Sequence, residues 1–208
     1  MAGLIAALGL VAALADPRTT EPLVRDHVPL TTEFYGRNVT RPGLRVATEF
    51  AVLGRRVDAH RRRGGVRRRD HELLVLPRIT GYVHPGHSIG LLLDGALAYR
   101  LTHPGGFRFE VVGGLGYLRT FLPAPTYVAT SDTRFRRERG AGDDQLAASF
   151  ELGFGYDFTV RPPERSRVVT ALFGRVGLLG QFPHNTRTHP VLIASLGVSF
   201  GVPRRRPR

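Results

Sequence analysis

The chain has 208 residues, the size of one domain, and 42% of them are hydrophobic, so its composition is that of a folded protein. The absence of cysteine excludes disulfides, thiolate metal sites and a cysteine nucleophile. The formal net charge is +13 and all 30 basic residues are arginine, a bias that a GC-rich genome explains and that weakens any link between basicity and nucleic acid.

The first 15 residues, MAGLIAALGLVAALA, form an apolar run that ends in the small-x-small sequence Ala13-Leu14-Ala15, before polar Asp16. This pattern predicts a secretory signal peptide cleaved after Ala15, although no basic residue precedes the run. The alternative is a buried N-terminal helix. Residues 16–27 then form an N-terminal extension, and no later stretch reaches the roughly 20 apolar residues that a membrane-spanning helix needs.

Large apolar residues alternate with small or charged residues through most of the remaining chain, which is the pattern of strands with two different faces. The alternation is clearest between Leu146 and Phe158, where Phe154 falls on one face and Glu151 on the other. Seven strands follow residue 42, and an eighth upstream gives the even number that a closed bacterial barrel needs. The predicted strands are Val28–Tyr35, Leu44–Leu53, Leu73–Val83, Ile89–Leu101, Phe107–Tyr117, Leu146–Phe158, Val168–Phe182 and Leu192–Val202.

This alternation fits two kinds of barrel, which differ in what the apolar face contacts. A soluble barrel packs that face inside, whereas an outer-membrane barrel turns it toward lipid and keeps small and charged residues in the lumen. Glycines mixed with charges on the polar face, aromatic residues near strand ends and strands about ten residues long favour the membrane. The sequence therefore predicts an all-β fold, a closed antiparallel up-and-down transmembrane β-barrel over residues 28–202. A soluble periplasmic β-barrel that binds a small apolar ligand is the alternative.

Eight strands place both chain termini on the periplasmic side. The outward loops are then residues 36–43, 83–88, 122–144 and 183–190, and the inward turns are residues 54–71, 102–106 and 160–167. The short 102–106 turn and the long 122–144 loop follow the rule of short periplasmic and long external connections. The arginine-rich 54–71 segment is too long for that rule.

The glycine–aromatic segments Gly113–Phe121, Gly153–Phe158 and Leu196–Phe200 resemble those of small eight-stranded outer-membrane β-barrel proteins of Gram-negative bacteria. The resemblance covers roughly residues 28 to 202 and reports fold rather than chemistry. It implies assembly by the outer-membrane insertion machinery, which is often guided by an aromatic residue at the end of the last strand. Phe200 would supply that residue, and a basic tail, residues 203–208, comes shortly after it.

Charged residues on the inward face are predicted to form ion pairs that fill the lumen, because eight strands leave room only for side chains or one small ligand. The other interpretation is a polar pathway for small solutes. The predicted lumen residues are Arg45, Glu49, Arg78, Asp94, Arg100, Arg108, Glu110, Glu151, Asp157 and Arg175.

Runs of arginine are the strongest electrostatic feature, and they could bind phosphates of outer-membrane lipid or lipopolysaccharide, since the guanidinium group fits phosphate well. A solvated loop is the equal alternative. Nucleic acid is not predicted as a partner, because no aromatic residues for base stacking are interleaved with these runs and export would separate the protein from it. The candidate phosphate contacts are Arg61, Arg62, Arg63, Arg67, Arg68 and Arg69.

No enzymatic activity, cofactor or metal site is predicted. Lipid A deacylases of this architecture share a His-x-Ser pair, whereas His87 and Ser88 are adjacent and would point to opposite faces of a strand. His84 with His87, and likewise His184 with His189, could hold a metal, but a polar turn is the simpler explanation. Asp143 and Asp144 could bind a cation, and a solvated acidic turn is again simpler.

Overall fold

A computed structural model describes residues 20–22, 27–37, 41–60, 66–123, 126–131, 134–138, 141–160, 168–184 and 187–203. The predicted signal peptide, residues 1–15, lies outside these ranges, as do residues 61–65, 161–167 and 204–208. Within them, no helix has the length and apolar composition needed to cross a membrane.

The described chain is almost entirely strand, with one 3₁₀ turn at Phe158–Val160. The strands are β1 (Thr20–Pro22), β2 (His27–Arg37), β3 (Arg41–Thr48), β4 (Phe50–His60), β5 (Val66–His84), β6 (Ser88–Thr102), β7 (Phe107–Phe121), β8 (Thr126–Ser131), β9 (Arg134–Glu138), β10 (Asp144–Asp157), β11 (Val169–His184) and β12 (Arg187–Pro203).

Eight antiparallel strands close into a barrel, because β12 pairs with β2 and every other neighbour in the ring is also paired. The ring runs β2, β3, β5, β6, β7, β10, β11, β12. β4 follows β3 directly and pairs with the same strand, β5. The register is continuous from one to the other, because Ala47 of β3 lies opposite Arg78 and Phe50 of β4 lies opposite Val75. The predicted closed barrel of eight antiparallel strands is therefore confirmed.

The two rims of the barrel differ. At the terminal end, β2 begins and β12 ends, with His27 opposite Pro203. The predicted 102–106 turn lies at the same rim, where the Gly106 N–H donates to the His103 carbonyl at 2.8 Å and Gly106 has a φ of 91°. The opposite rim, the loop end, carries the two-stranded β8–β9 hairpin within the predicted 122–144 loop.

The prediction of an inward turn over residues 54–71 is wrong. These residues belong to β4 and β5, which pair from Leu53 opposite Leu73 to His60 opposite Val66 and leave only residues 61–65 to connect them. The predicted N-terminal extension also contains a strand, because β1 pairs with β4. Polar residues occupy both faces of this hairpin, so no apolar alternation marked it as strand in the sequence.

The alternation of the barrel strands separates two environments. Large apolar side chains cover the outside, where Leu115 is 74% and Leu196 is 71% exposed. Charged side chains lie inside, where Arg45 and Glu151 are each 1% exposed. Phe150 directly precedes Glu151 in β10 and is 54% exposed, so neighbouring residues of one strand face the outer surface and the lumen in turn.

Inward glycines make room for the charged side chains of neighbouring strands. Gly116 in β7 lies opposite Asp94 in β6, and a Cβ on it would come within 2.7 Å of the Asp94 Cα. Gly197 in β12 lies opposite Glu33, and a Cβ there would come within 2.7 Å of the Glu33 Cγ. The outward Gly113 has open space around the same position.

A methyl group at an inward glycine should therefore destabilise the barrel, while one at an outward glycine should not. We expect G116A to lower the free energy of unfolding by about 1–3 kcal/mol, because backbone and side-chain atoms of Asp94 must move. G113A, on the outward face of the same strand, is the matched control. Urea unfolding of both variants in vesicles measures the difference, and equal midpoints would contradict the packing described.

Candidate functional site: the ionic network of the lumen

Most of the charged side chains inside the barrel contact one another in a single continuous network. Alternation along each strand turns them inward, and closure of the barrel brings residues far apart in sequence together. In order of contact, the network joins Glu49, Arg100, Glu110, Arg175, Glu33, Arg45, Glu151, Arg78 and Asp94.

Arg100 organises the part of the network nearest the terminal end. Its Nη1 and Nη2 each donate to a Glu49 carboxylate oxygen at 2.7 Å, a two-point contact that matches the planar guanidinium group. Its Nε donates to Glu110 Oε1 at 2.6 Å. Glu72 Oε2 lies 3.9 Å from Arg100 Nη1, so three carboxylates surround one guanidinium.

Glu151 joins two arginines in the part of the network nearer the loop end. Its Oε2 accepts from Arg45 Nη1 at 2.9 Å, and its Oε1 accepts from Arg78 Nη1 at 2.7 Å. The Arg78 Nε also donates to Asp94 Oδ2 at 2.7 Å. A carboxylate with a guanidinium at each oxygen is well compensated despite its burial.

Arg175 connects these two parts. Its Nη2 donates to Glu110 Oε2 at 2.8 Å and its Nη1 donates to Glu33 Oε1 at 2.6 Å. Glu33 in turn accepts from Arg45 at 3.4 Å and from the Ser195 hydroxyl at 2.6 Å. With Ser195 on β12, all eight strands of the barrel contribute a side chain to the network.

One inward aromatic ring lies between two of the guanidinium groups. The Cζ atoms of Arg108 and Arg175 lie 4.5 Å and 4.4 Å from the centroid of the Phe173 ring. Such contacts favour a cation further when water is excluded. Arg108 also has its Nε 3.3 Å from Glu110 Oε1, so it belongs to the network at its edge.

Apolar side chains also lie inside the barrel. Leu92 of β6 and Val112 of β7 are among these inward residues and are buried. One cluster lies on the loop-end side of the network and contains Tyr35, Tyr82, Leu92, Leu118, Ala147, Leu179, Val191 and Ile193. A second lies on the β5–β6–β7 wall and contains Leu74, Leu76, Ala96, Ala98 and Val112.

The structure adds three charged residues that the sequence reasoning missed. Glu33 and Glu72 are each 1% exposed, and Arg37, 4% exposed, donates from Nη2 to Gln181 Oε1 at 2.7 Å. Alternation through Thr31, Glu33 and Tyr35 would have identified Glu33. Glu72 directly precedes the predicted start of its strand, so extending the strand by one residue would have found it.

One predicted ion-pair residue makes other contacts. Asp157 is buried at the terminal end of β10, where its Oδ1 accepts from the backbone N–H of Thr159 at 2.8 Å and from the Thr159 hydroxyl at 2.5 Å. This carboxylate therefore caps the 3₁₀ turn that follows the strand.

Three of the predicted phosphate contacts, Arg67, Arg68 and Arg69, lie on β5. Arg61, Arg62 and Arg63 lie outside the described residues, and so do the side chains of Arg67 and Arg68. Arg69 is exposed on β5, at the terminal end of the barrel.

The structure describes two of the other candidate sites, the His84–His87 turn and the surroundings of Asp144. His84 and His87 flank an exposed turn with ring centroids 4.4 Å apart, and the side chains of His184 and His189 lie outside the described part. The Asp144 carboxylate accepts hydrogen bonds from Arg119 and from the Tyr117 hydroxyl. No group of three potential metal ligands occurs among the described residues.

Among the solved structures similar to this chain are two bacterial β domains. The N-terminal β-barrel domain of Pseudomonas aeruginosa OprF is 16% identical, with a TM-score of 0.47, and the match covers 88% of this chain and 100% of that one. The β domain of the Bordetella autotransporter Brka is 17% identical, with a TM-score of 0.35, over 83% of this chain and 68% of that one. No family model and no curated protein matches the chain. The barrel assignment rests on the strand pairing of this chain itself.

Removing one carboxylate from the network should be far more costly than removing one from the rim. We expect E151Q to lower the free energy of unfolding by about 3–5 kcal/mol, because Arg45 and Arg78 would each lose a buried counter-charge. D144N, the same change at the exposed pair with Arg119, should cost less than about 1 kcal/mol. Urea unfolding in vesicles measures the free energy of unfolding of both variants. A loss for E151Q as small as the loss for D144N would show that the buried network does not stabilise the barrel.

Proposed function

We propose that this protein is an outer-membrane β-barrel with a structural or binding role, whose lumen is closed by its own side chains. The observation that carries the proposal is the opposite placement of the two residue classes. The barrel exposes a continuous apolar outer wall and buries the ionic network of the lumen. A protein surface in water does not keep so many large apolar residues exposed on every strand.

The outer wall has the chemistry of a lipid-facing surface. Among its exposed residues, Leu44, Leu97, Leu115 and Leu196 lie on four different strands, and each is more than half exposed. Aromatic side chains lie toward the rims, where Phe107 and Tyr156 pack edge to face with ring centroids 5.4 Å apart. Apolar bands flanked by aromatic girdles are the pattern of barrels that cross an outer membrane.

The soluble alternative needs an apolar interior that can hold an apolar ligand. The centre of this barrel instead holds Arg45, Arg100 and Arg175 with their carboxylate partners, and no described observation favours the alternative. An apolar ligand there would have to separate charges that are compensated only by one another.

The closed lumen supports a role on the membrane surface rather than in transport through the barrel. We expect no hydrolase activity. Export through the predicted signal peptide and assembly by the outer-membrane insertion machinery belong to the same proposal, with Phe200 near the end of β12 as the aromatic residue of the last strand.

A charge on the outer wall tests the membrane assignment. In lipid vesicles, L115R should lower the free energy of unfolding by about 2–4 kcal/mol, because the side chain would meet hydrocarbon near mid-membrane. L122R, beyond the end of β7 at the rim, is the matched control and should cost at most about 1 kcal/mol. If both changes stay within about 0.5 kcal/mol, as on a solvated surface, the membrane assignment is wrong.

Electrical measurement tests the closed lumen. Reconstituted in a planar lipid bilayer, the wild-type barrel should give no stable ohmic current steps, because the ionic network and the loop-end apolar cluster fill its cross-section. Insertion is verified separately by the slower gel migration of heated samples compared with unheated ones. Stable steps from the inserted wild-type protein would overturn the closed-lumen part of the proposal.

A further inference from the structure

The β4–β5 hairpin projects past the barrel wall at the terminal end. The last pair between β5 and β6 is Asp70 opposite Thr102, whereas β4 and β5 remain paired to His60 opposite Val66. Four residues of β5 therefore extend beyond its other neighbour, a length of about 13 Å at the usual rise of a strand.

The register of the hairpin separates its charges onto two faces. On one face, Arg55 lies opposite His71 and Val57 lies opposite Arg69. We call these four residues the cationic face, since none of them is acidic. Asp70 lies on the other face, where its two carboxylate oxygens accept from Arg56 at 2.8 Å and 3.1 Å.

The cationic face is continuous with the outer wall of the barrel. Along β5, His71 and Arg69 share the outward side with Leu73, while Glu72 and Leu74 point into the lumen and are each 1% exposed. His71 also contacts the outward Tyr99, with Nδ1 2.7 Å from the phenol oxygen. A positive surface thus begins where the apolar wall ends.

The surroundings of His71 on the cationic face lower its pKa. Partial burial and then the positive charges of Arg69 and Arg55 lower the pKa of His71, while Asp70 has a smaller opposite effect. The lowered pKa favours the neutral imidazole, so the positive charge of the face comes chiefly from the guanidinium groups of Arg55 and Arg69.

We propose that the cationic face docks on the phosphate headgroups of anionic phospholipid in the leaflet at the terminal end. The inference rests on the proposed function, which places the outer wall in lipid. Guanidinium groups bind phosphate through paired N–H donors, and an apolar wall ending in such groups matches the order of acyl chain and headgroup. The position at the end opposite the long loop assigns the ligand to the phospholipid leaflet rather than to lipopolysaccharide.

The experiment uses the full mature chain inserted into vesicles of equal parts phosphatidylcholine and phosphatidylglycerol with the same acyl chains. Native mass spectrometry of the released protein measures the enrichment of phosphatidylglycerol among bound lipids. R55Q/R69Q should reduce the enrichment about fivefold for each arginine removed. R136Q/R137Q, an equal change of charge in β9 at the loop end, should leave it unchanged.

A second variant keeps the inference testable if the double variant does not fold. V57E places a carboxylate between Arg55 and Arg69 and should also reduce the enrichment. Unchanged enrichment in the folded variant, or a loss caused by R136Q/R137Q instead, would overturn the inference. Failure of the wild-type chain to insert would overturn the proposed function as well, whereas insertion without enrichment overturns only the phospholipid site.

Discussion

Mutual compensation of charge inside a closed barrel is the constraint on which the rest of this structure depends. Each carboxylate of the central network contacts a guanidinium group from another part of the barrel. Glu110, for example, contacts both Arg100 and Arg175. Charges removed from water are tolerated only in such arrangements, since an unpartnered one costs several kcal/mol or more. The contacts cross the lumen, so the charges are satisfied only when all eight strands are in register.

This requirement explains both the glycines and the outer surface. Glycines such as Gly116 lie opposite inward charged side chains because a larger residue would displace them. Once the polar residues occupy the narrow lumen, alternation turns the residues between them outward, and most of those are large and apolar. The polar interior and the apolar exterior are therefore two consequences of one pattern, and a hydrocarbon environment is the solvent that suits the result.

The same alternation gives the β4–β5 hairpin its two faces. Within the barrel wall, the two faces separate the polar lumen from the apolar outer surface. At the terminal rim of the wall the separation persists although apolar residues are few, so that the Arg56–Asp70 pair occupies one face and Arg55 and Arg69 the other. The outer wall thereby passes from an apolar surface to a positive one along a single strand.

The sequence by itself determined the strands with strong alternation, the antiparallel barrel of even strand number and most of the residues that point inward. Periodicity is local, so it can be read wherever the two faces differ in polarity, as in β10. It could not show that residues 54–71 pair as a hairpin, because both faces there are polar. Nor could it show which charges meet. The contacts of Glu33 with Arg175 and of Arg45 with Glu151 join residues more than 100 positions apart, and only closure of the barrel brings them within hydrogen-bonding distance.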